Sequence, residues 1–435
     1  MRVVERFEGL ALAGLAQIGP VRLRTPTVLG AREAEAGTGP TITTETGASG
    51  VRRTVISVGS DRLGMDLPIL APEIAPTETG VFPLEAGVVL LHAPLDPRAL
   101  RELRARRPEL LVLGNARALW NDGEALVTAV RAIRTELGAE PLLWGPRVAL
   151  PNRLPLLAYL GFDLLDTTEG ELRASAGEFL DPTLGPRESP RPGPERGCDC
   201  AACGDRAGGS LVAHARTAYR RAELELHGAL ARGALRELVE ARLASEPSAS
   251  ELLRYADRDL ADQLEERSPV TGEGSHNYVL SEALRRPEMR RFRDRLRERY
   301  RPPPSKSVLL LVPCSRTKPY RRSPSHRRFL GAVEGLPGAQ RVHVVSVSSP
   351  IGLVPQELED VPPARHYDIP VTGSWSAEER EAVLHGLRHL LGAGGYQQVV
   401  AHLDHEVAEH RPARERRREE CVLRDAAPSL GLEEL

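Results

Sequence analysis

The chain has 435 residues, of which 41% are hydrophobic and 27% are charged, and its formal net charge is −2. This length and composition predict a folded protein of two or three domains and exclude a disordered chain. No apolar run approaches the roughly eighteen residues of a membrane span, and the N-terminus lacks a signal-peptide pattern, so we expect neither a membrane nor a secreted protein.

The first 180 residues alternate short apolar runs with helical stretches. Helices are predicted over 97–106 and 122–137, and strands at 67–71, 88–91, 110–113, 141–144 and 162–165. Strands that alternate with helices predict a parallel sheet or barrel. The Pro-, Gly- and Arg-rich segment that follows, 181–197, has no apolar face to bury and predicts a linker.

Helices dominate the middle of the chain. Residues 210–245 carry leucines near a 3.6-residue period, and residues 250–300 are mostly helical and strongly basic at their end. Three prolines, 302–304, end this stretch. Strands at 308–312, 342–347 and 398–401 and a helix over 376–392 then predict a small α/β domain, followed by a charged tail.

The positive charge is concentrated in one block and is almost entirely arginine. The chain has two lysines, Lys306 and Lys318, and residues 281–330 hold 14 Arg and 2 Lys against four acidic residues, a local charge of +12. Such a block is typical of proteins that bind a phosphate backbone, although 285–301 alone also fits a solvated helix face. A lysine retained in so arginine-rich a chain indicates a need for an ammonium group, with chance survival an equal explanation for Lys306.

Three cysteines form a compact cluster, Cys198, Cys200 and Cys203, in the spacing C-x-C-x-x-C. This spacing is too tight for ordinary disulfides but supplies three corners of a tetrahedral metal site. His214 and His227 are the candidates for the fourth ligand. Because a Cys3His site leaves no open coordination position, we predict a structural zinc ion (Zn2+) rather than a catalytic one.

This region resembles the tRNA-guanine transglycosylase family. Residues 161–167 (GFDLLDT) resemble the family's G-[IV]-D-[LM]-F-D-[SC] motif, and Asp166 stands at the position of its nucleophile. Residues 233–240 (GALRELVE) resemble a run that begins nineteen residues after the family's ligand histidine, which implies His214, with His227 as the runner-up. The family's D-S-G-G-F-Q element, which carries its base-recognition aspartate, is absent. The resemblance therefore implies a barrel whose exchange site has been dismantled, with Asp166 either contacting a base or ribose or serving as a structural strand-end residue.

A polar loop follows the apolar strand that begins at residue 308, and functional groups of α/β domains gather in such loops. The loop matches P-C-x3-K-P-Y-x2-S-x2-H, the signature of the archaeosine synthase alpha subunit family. Segments at 286–292, 349–359 and 366–373 resemble further blocks of that family. The matching signature residues are Pro313, Cys314, Lys318, Pro319, Tyr320, Ser323 and His326.

The resemblance implies a cytoplasmic archaeal enzyme that modifies 7-cyano-7-deazaguanine (preQ0) at position 15 in the D-loop of tRNA. It implies that free lysine adds to the nitrile and that a radical-SAM partner releases the lysine carbon skeleton. Family members often end in an RNA-binding PUA domain, for which this chain stops too soon, so we expect a separate PUA-domain protein or the basic block to replace it. The alternatives are a non-catalytic tRNA-binding subunit and an active transglycosylase.

The resemblance also implies roles for individual residues, beginning with the catalytic set Cys314, Lys318, His326, Tyr320 and Ser323. We expect Cys314 to attack the nitrile as a thiolate, with its pKa lowered by Lys318 or His326, and His326 to shuttle protons. In the rival mechanism the amine attacks directly and Cys314 only packs under the loop. Substrate contacts are expected from a second set: Asp166, Arg286, Glu357, Glu359 and Asp368.

Taken together, the patterns predict an α/β protein with a degenerate transglycosylase-like (β/α) barrel, a zinc site and a smaller C-terminal α/β domain. The predicted segments are the barrel domain (1–190), the zinc-binding segment and helix (191–246), a basic helical connector (247–302), the C-terminal α/β catalytic domain (303–410) and a charged tail (411–435).

Overall fold

The chain divides into two compact units, Met1–Ser268 and Pro269–Leu435. A computed structural model describes residues 2–31, 39–46, 52–67, 78–85, 87–188, 197–204, 210–269, 276–349, 351–369 and 375–403. The predicted tail, 411–435, lies outside these ranges, as do most of the predicted strand 67–71 and part of the predicted linker. The structure is mixed α/β, as predicted. Within the described ranges, no helix combines the length and apolarity needed to cross a bilayer.

The first unit alternates strands with helices through its central part. Its strands are β1 (Arg2–Glu8), β2 (Ala11–Ile18), β3 (Val21–Thr25), β4 (Thr27–Leu29), β5 (Thr41–Thr46), β6 (Arg52–Val58), β7 (Asp61–Met65), β8 (Gly80–Pro83), β9 (Val88–His92), β10 (Leu110–Leu113), β11 (Leu142–Trp144), β12 (Leu164–Asp166), β13 (Glu178–Asp181) and β14 (Gly185–Glu188). Its helices are α1 (Pro97–Arg104), α2 (Ala116–Leu119), α3 (Gly123–Leu137), α4 (Leu154–Tyr159), α5 (Thr168–Ser175), α6 (Ala201–Gly204), α7 (Leu211–Arg232), α8 (Leu235–Arg242), α9 (Pro247–Asp259) and α10 (Ala261–Glu266).

A six-stranded sheet forms the centre of this unit, with the strand order β4-β12-β11-β10-β9-β8. Neighbouring strands from β4 to β9 are parallel, and only β8 is antiparallel to its neighbour. The central strands are buried on both faces, which explains their nearly continuous apolar sequences. The predicted alternation is therefore confirmed, and the helices predicted over 97–106 and 122–137 are α1 and α3.

The two faces of the parallel sheet are covered differently. Leu111 and Leu113 of β10 join a core cluster with helix residues such as Val130. Their neighbours along the strand, including Val112, pack instead with Ile18 and other residues of two antiparallel meanders, β1–β3 and β5–β7. In a closed barrel this second face would line the interior. Within the described residues the sheet stays open, with β4 and β8 at its edges, so closure into a barrel is not seen.

The second unit is built on a four-stranded sheet with the order β18-β17-β16-β20. β16 lies inside the sheet, parallel to both β17 and β20, whereas β17 and β18 form an antiparallel hairpin. Its strands are β15 (His276–Asn277), β16 (Val308–Pro313), β17 (Val342–Ser348), β18 (Gly352–Pro355), β19 (Tyr367–Asp368) and β20 (Gln398–Ala401), and its helices are α11 (Pro287–Glu298), α12 (Pro324–Glu334) and α13 (Ala377–Ala393). The strands and the helix predicted for this region are confirmed. Because β16 is internal, the loop that leaves its carboxyl end is flanked by the end of β17.

Candidate functional site

The three clustered cysteines and His214 meet at one point in the first unit. Nδ1 of His214 lies 3.6 Å from Sγ of Cys198, 3.5 Å from that of Cys200 and 3.3 Å from that of Cys203. All four ligand atoms lie within 4.8 Å of one another, so the group could hold a metal ion. Tetrahedral bonds of about 2.3 Å to sulfur and about 2.0–2.1 Å to nitrogen would set sulfur and nitrogen about 3.5–3.6 Å apart, in agreement with these distances.

The His214 ring is held in the orientation that a metal ligand needs. Its Nε2 lies 2.9 Å from the carbonyl oxygen of Leu180, and its ring stacks on Phe179 with 4.1 Å between centroids. Donation to the carbonyl keeps the proton on Nε2 and turns the lone pair of Nδ1 towards the thiols. His227 lies thirteen residues farther along α7, about 20 Å at the rise of an α-helix, so the structure selects His214 between the two candidates.

The electrostatics of the cluster also suit a cation. Burial, followed by the neighbouring thiols of Cys200 and Cys198, raises the pKa of Cys203 to about 12. The rise reflects the cost of placing several thiolates in one buried space, and a divalent ion would offset that cost by pairing with them. The donor set, three sulfurs and one imidazole nitrogen, is the one that structural zinc sites use.

Asp166, at the carboxyl end of β12, is fully buried and saturated with hydrogen bonds. Its Oδ2 accepts from Nε1 of Trp144 at 3.1 Å and from the backbone N–H of Arg147 at 3.0 Å, and its Oδ1 accepts from the N–H of Thr168 at 3.0 Å. Burial raises the pKa of the carboxyl group against the pull of these donors. The side chain therefore ties the end of β12 to the loop after β11, and neither oxygen points to solvent.

Cys314 lies directly after β16 in the second unit, beside the end of β17. Its N–H donates to the carbonyl oxygen of Val347 at 3.0 Å, which continues the parallel ladder and brings Ser348 next to the thiol. Burial raises the pKa of the Cys314 thiol, and Ser348 and Lys318 counteract only part of this effect. The direction is opposite to the lowering that the sequence led us to expect, because desolvation outweighs the nearby ammonium group.

Lys318 extends its ammonium group over an aromatic ring near this thiol. Its Nζ lies 4.1 Å from the centroid of the Tyr367 ring and 3.5 Å from the carbonyl oxygen of Arg316. Burial lowers the pKa of Lys318, although Cys314 and Asp368 raise it, and the positive charge of Arg316 lowers it further. A half-buried ammonium of this kind exchanges a proton more readily than an exposed lysine does.

A chain of hydroxyl groups lies beneath the thiol. Tyr367 OH is hydrogen-bonded both to Tyr320 OH and to Oγ of Ser348. All three side chains are buried, and burial raises the pKa of both tyrosines, so their hydroxyls are neutral. Tyr320 was predicted as a site residue, whereas Ser348 and Tyr367 were not singled out, although they adjoin or lie in the family-like segments 349–359 and 366–373.

Ser323 and His326 stabilise the loop through contacts with its two ends. Ser323 is the N-cap of α12, where its Oγ accepts from the N–H of His326 at 3.1 Å. Nε2 of His326 lies 3.0 Å from the carbonyl oxygen of Pro313, and its ring stacks on Tyr320. His326 is 1% exposed, and burial lowers its pKa. These contacts fasten the start of α12 to the end of β16.

The remaining predicted substrate residues of the second unit are spread over several places, and only Asp368 adjoins Lys318 closely enough to shift its pKa. Glu359 is buried against the loop, where it accepts from the N–H of Arg321 at 2.9 Å, and burial raises its pKa. Arg286 is 2% exposed and lies over the ring of Tyr278 at 4.2 Å. Asp166 belongs to the first unit.

Glu357 belongs to a separate cluster at the other end of β17. Its Oε1 accepts from Tyr300 OH at 2.5 Å and lies 3.4 Å from Nε2 of His343. Burial alone would raise its pKa, but these two hydrogen bonds lower it to about 2. His343 is five residues before Ser348 on the strand, about 16 Å away, so Glu357 does not meet Cys314.

Comparison with known proteins agrees with the motif. Residues 289–427 match a family model described as a domain of unknown function (DUF5591). Archaeosine synthase subunit alpha of Methanosarcina acetivorans is 34% identical over 325 residues, which cover 70% of this chain and 49% of that protein. Archaeosine synthase of Haloferax volcanii is 34% identical over 303 residues, 67% of this chain and 49% of that protein.

Two further matches are weaker or shorter. Archaeosine synthase subunit alpha of Thermoplasma acidophilum is 28% identical over 347 residues, 77% of this chain and 63% of that protein. A crystal structure of AF0587, a protein of unknown function, is 32% identical but has a TM-score of 0.19, and the match covers 26% of this chain and 34% of that one. The chain spans about half the length of the first two curated relatives. The resemblance drawn from the sequence motif is confirmed: this chain is similar to the archaeosine synthases.

Proposed function

We propose that this chain is a tRNA-modifying transferase that acts on preQ0 at position 15 of tRNA and adds free lysine to the nitrile, on the way to archaeosine. The observation that carries the proposal is the loop 313–326, in which all seven signature residues occur and Cys314 and Lys318 adjoin each other. The similarity to proteins named archaeosine synthase supports it. The partners in this proposal are tRNA, free lysine, a radical-SAM protein and a PUA-domain protein, all in the cytoplasm.

The proposed reaction needs one proton to move. A bond forms between the amine nitrogen and the nitrile carbon, one π bond of the nitrile is lost, and a proton passes from the amine to the nitrile nitrogen. We assign this transfer to Lys318: its ammonium group protonates the nitrile nitrogen, and the amine that results takes the proton released by the attacking nitrogen. Burial has lowered the pKa of Lys318, and Tyr367 holds its ammonium in place. Direct attack by the amine is better supported than prior attack by Cys314, which would form a thioimidate with the nitrile carbon, because burial keeps the Cys314 thiol protonated.

For the first unit we propose a remnant of the transglycosylase barrel that carries a structural zinc ion on Cys198, Cys200, Cys203 and His214. The zinc would hold the β13–β14 hairpin, α6 and the start of α7 together, because the His214 ring also contacts Phe179 and Leu180 of β13. Base exchange is not supported, because every oxygen of the Asp166 carboxyl group already accepts a backbone or indole donor.

The two lysines of the chain allow a matched test of this function. The full chain is incubated with preQ0-containing tRNA and isotopically labelled lysine, and label in the tRNA is measured for wild type, Lys318→Arg and Lys306→Arg. We expect wild type and Lys306→Arg to transfer lysine and Lys318→Arg to lose most of the activity, because a guanidinium does not give up a proton. Transfer at the wild-type rate by Lys318→Arg would remove Lys318 from the mechanism.

A second candidate is a non-catalytic tRNA-binding subunit. One observation favours it: the thiol of Cys314 is held protonated and the ring of His326 is enclosed, so neither is poised as a nucleophile or base. In that case Lys318→Arg and Lys306→Arg should both bind tRNA like wild type, and no variant, including wild type, should transfer label without a partner protein.

A further inference from the structure

The loop of Cys314 and the start of α12 carry only positive charge. Residues 314–330 contain six basic side chains and no acidic one. One of the six, Arg321, is neutralised by Asp360, with its Nη2 2.6 Å from Oδ2. A second, Lys318, is half-buried over the ring of Tyr367. Four arginines are left: Arg316, Arg322, Arg327 and Arg328, which we call the loop arginines.

The loop arginines are exposed and carry no ion pair in the part of the chain that the structure describes. Arg316 is near enough to Lys318 to lower the pKa of its ammonium group. Arg322 stands immediately before Ser323, the N-cap of α12, and Arg327 and Arg328 follow within its first two turns. No acidic residue occupies the first turn of α12, so the partial positive charge of the helix terminus adds to that of the side chains.

Most of the basic residues of α11, by contrast, serve the fold. The guanidinium of Arg291 donates to the carbonyl oxygen of Pro269 at 3.2 Å, and that of Arg293 donates to the carbonyl oxygen of Leu284 at 2.6 Å. Arg297 pairs with Asp294 and lies 3.2 Å from Nδ1 of His385. At least three of the five basic side chains of α11 are therefore engaged within the fold, whereas the four loop arginines are all exposed.

We infer that the loop arginines bind the phosphate backbone of an RNA, and that α11 does not. Exposed guanidinium groups without carboxylate partners gain most from phosphate oxygens, which they contact in a planar, two-pronged geometry. Arg316 and Arg322 flank Lys318 in the loop, and Arg327 and Arg328 lie on the helix that the loop leads into, so RNA bound here would run past the proposed reaction centre. The identification of this RNA as a tRNA rests on the proposed function. The argument from charge, that the surface binds a phosphate backbone, is independent of it.

The salt dependence of RNA binding measures how many phosphates the loop arginines contact. Each phosphate contact contributes about 0.7–0.9 to the slope of log K against log salt concentration. Removing two loop arginines that each contact one phosphate should therefore lower the slope by about 1.4–1.8. The double variant Arg327→Ala/Arg328→Ala suits this test, because both side chains are exposed on a helix and alanine favours that conformation.

The matched control removes the same charge at the carboxyl end of α11, from Arg295 in the helix and from Arg299, its C-cap. Arg295 and Arg299 are exposed, and Arg295→Ala/Arg299→Ala changes the net charge by the same two units. Binding of the full chain to a preQ0-containing tRNA is measured over a series of KCl concentrations for wild type and both double variants. We expect a smaller slope and weaker binding only for Arg327→Ala/Arg328→Ala. In the lysine-transfer assay we expect the same variant to show a raised KM for tRNA.

Two results would overturn the inference: equal changes in the two double variants, which would indicate a diffuse electrostatic effect, or no change in the loop variant. Equally tight, equally salt-dependent binding of polyglutamate would also overturn it, because the surface would then accept any polyanion. Failure of the proposed function is distinguishable from these outcomes. If wild type transfers no lysine yet the slope still falls only in the loop variant, the surface stands and the assigned chemistry fails.

Discussion

Removal of the His214 ligand tests the metal centre, and α7 itself offers a matched control. His214 and His227 both lie on this helix, but only His214 contacts the three cysteines. His214→Ala removes one of the four ligands together with the contact between Nε2 and the carbonyl oxygen of Leu180. His227→Ala removes an identical ring from the same helix and leaves the ligand set complete.

The metal accounts for most of the expected loss of stability. A lost neutral hydrogen bond destabilises a fold by about 1 kcal/mol, whereas structural zinc contributes about 10–16 kcal/mol in small zinc domains. The second figure is as large as the stability of a typical whole domain, about 5–15 kcal/mol. His214→Ala should therefore lower the free energy of unfolding of the first unit by far more than the lost hydrogen bond alone.

The assay combines metal content with thermal unfolding, with and without EDTA. Wild type and His227→Ala should carry one zinc ion per chain and unfold at a lower temperature when EDTA is added. His214→Ala should carry less zinc, unfold at a lower temperature from the start and respond little to EDTA. Stoichiometric zinc in His214→Ala, or the same destabilisation in His227→Ala, would refute the assignment.

Three further predictions concern single side chains. Asp166→Asn should lower the free energy of unfolding by about 1–3 kcal/mol, because the new amide nitrogen would face an N–H donor, whereas lysine transfer should be retained. Urea unfolding measures the first effect and the transfer assay the second. Loss of transfer in a folded variant would restore a chemical role to Asp166. Cys314→Ala should keep most of the lysine transfer, because the thiol is protonated; a covalent tRNA adduct trapped with wild type and absent from the variant would contradict this. Glu357 has a folded pKa of about 2 against an ordinary value of 4.5, so its stabilising effect should be complete above pH 4.5 and lost as the pH falls towards 2; Glu357→Gln should abolish that part of the pH dependence, and an unchanged pH profile of unfolding would count against the ionised carboxylate.

The sequence predicted those elements whose signal is local. The helices α1, α3 and α13 and the buried strands β9, β10 and β16 were found from apolar periodicity, because each is buried along a regular stripe or on both faces. The meanders β1–β3 and β5–β7 were not predicted, since β1 and β5 are exposed along most of their length and the strands pair through turns with weak signals. The predicted linker was wrong at 185–188, where β14 pairs with β13.

The candidate sites divide in the same way. The cysteine cluster could be read directly, because its ligands are close in sequence and their chemistry is specific. Ser348 and Tyr367 reach the loop only through strand pairing and folding over more than thirty residues, so no local pattern marks them. The pKa of Cys314 could not be predicted either, because it depends on how deeply the folded chain buries the thiol.

Mass spectrometry of the nucleosides shows whether lysine is joined to the base of preQ0 in tRNA. The full chain is incubated with preQ0-containing tRNA and lysine, the tRNA is digested, and the nucleoside from position 15 is analysed. We expect a nucleoside with the mass of the preQ0 nucleoside plus one whole lysine, with nothing lost, because addition to a nitrile releases no leaving group. An unchanged preQ0 nucleoside, despite demonstrated tRNA binding, would contradict it.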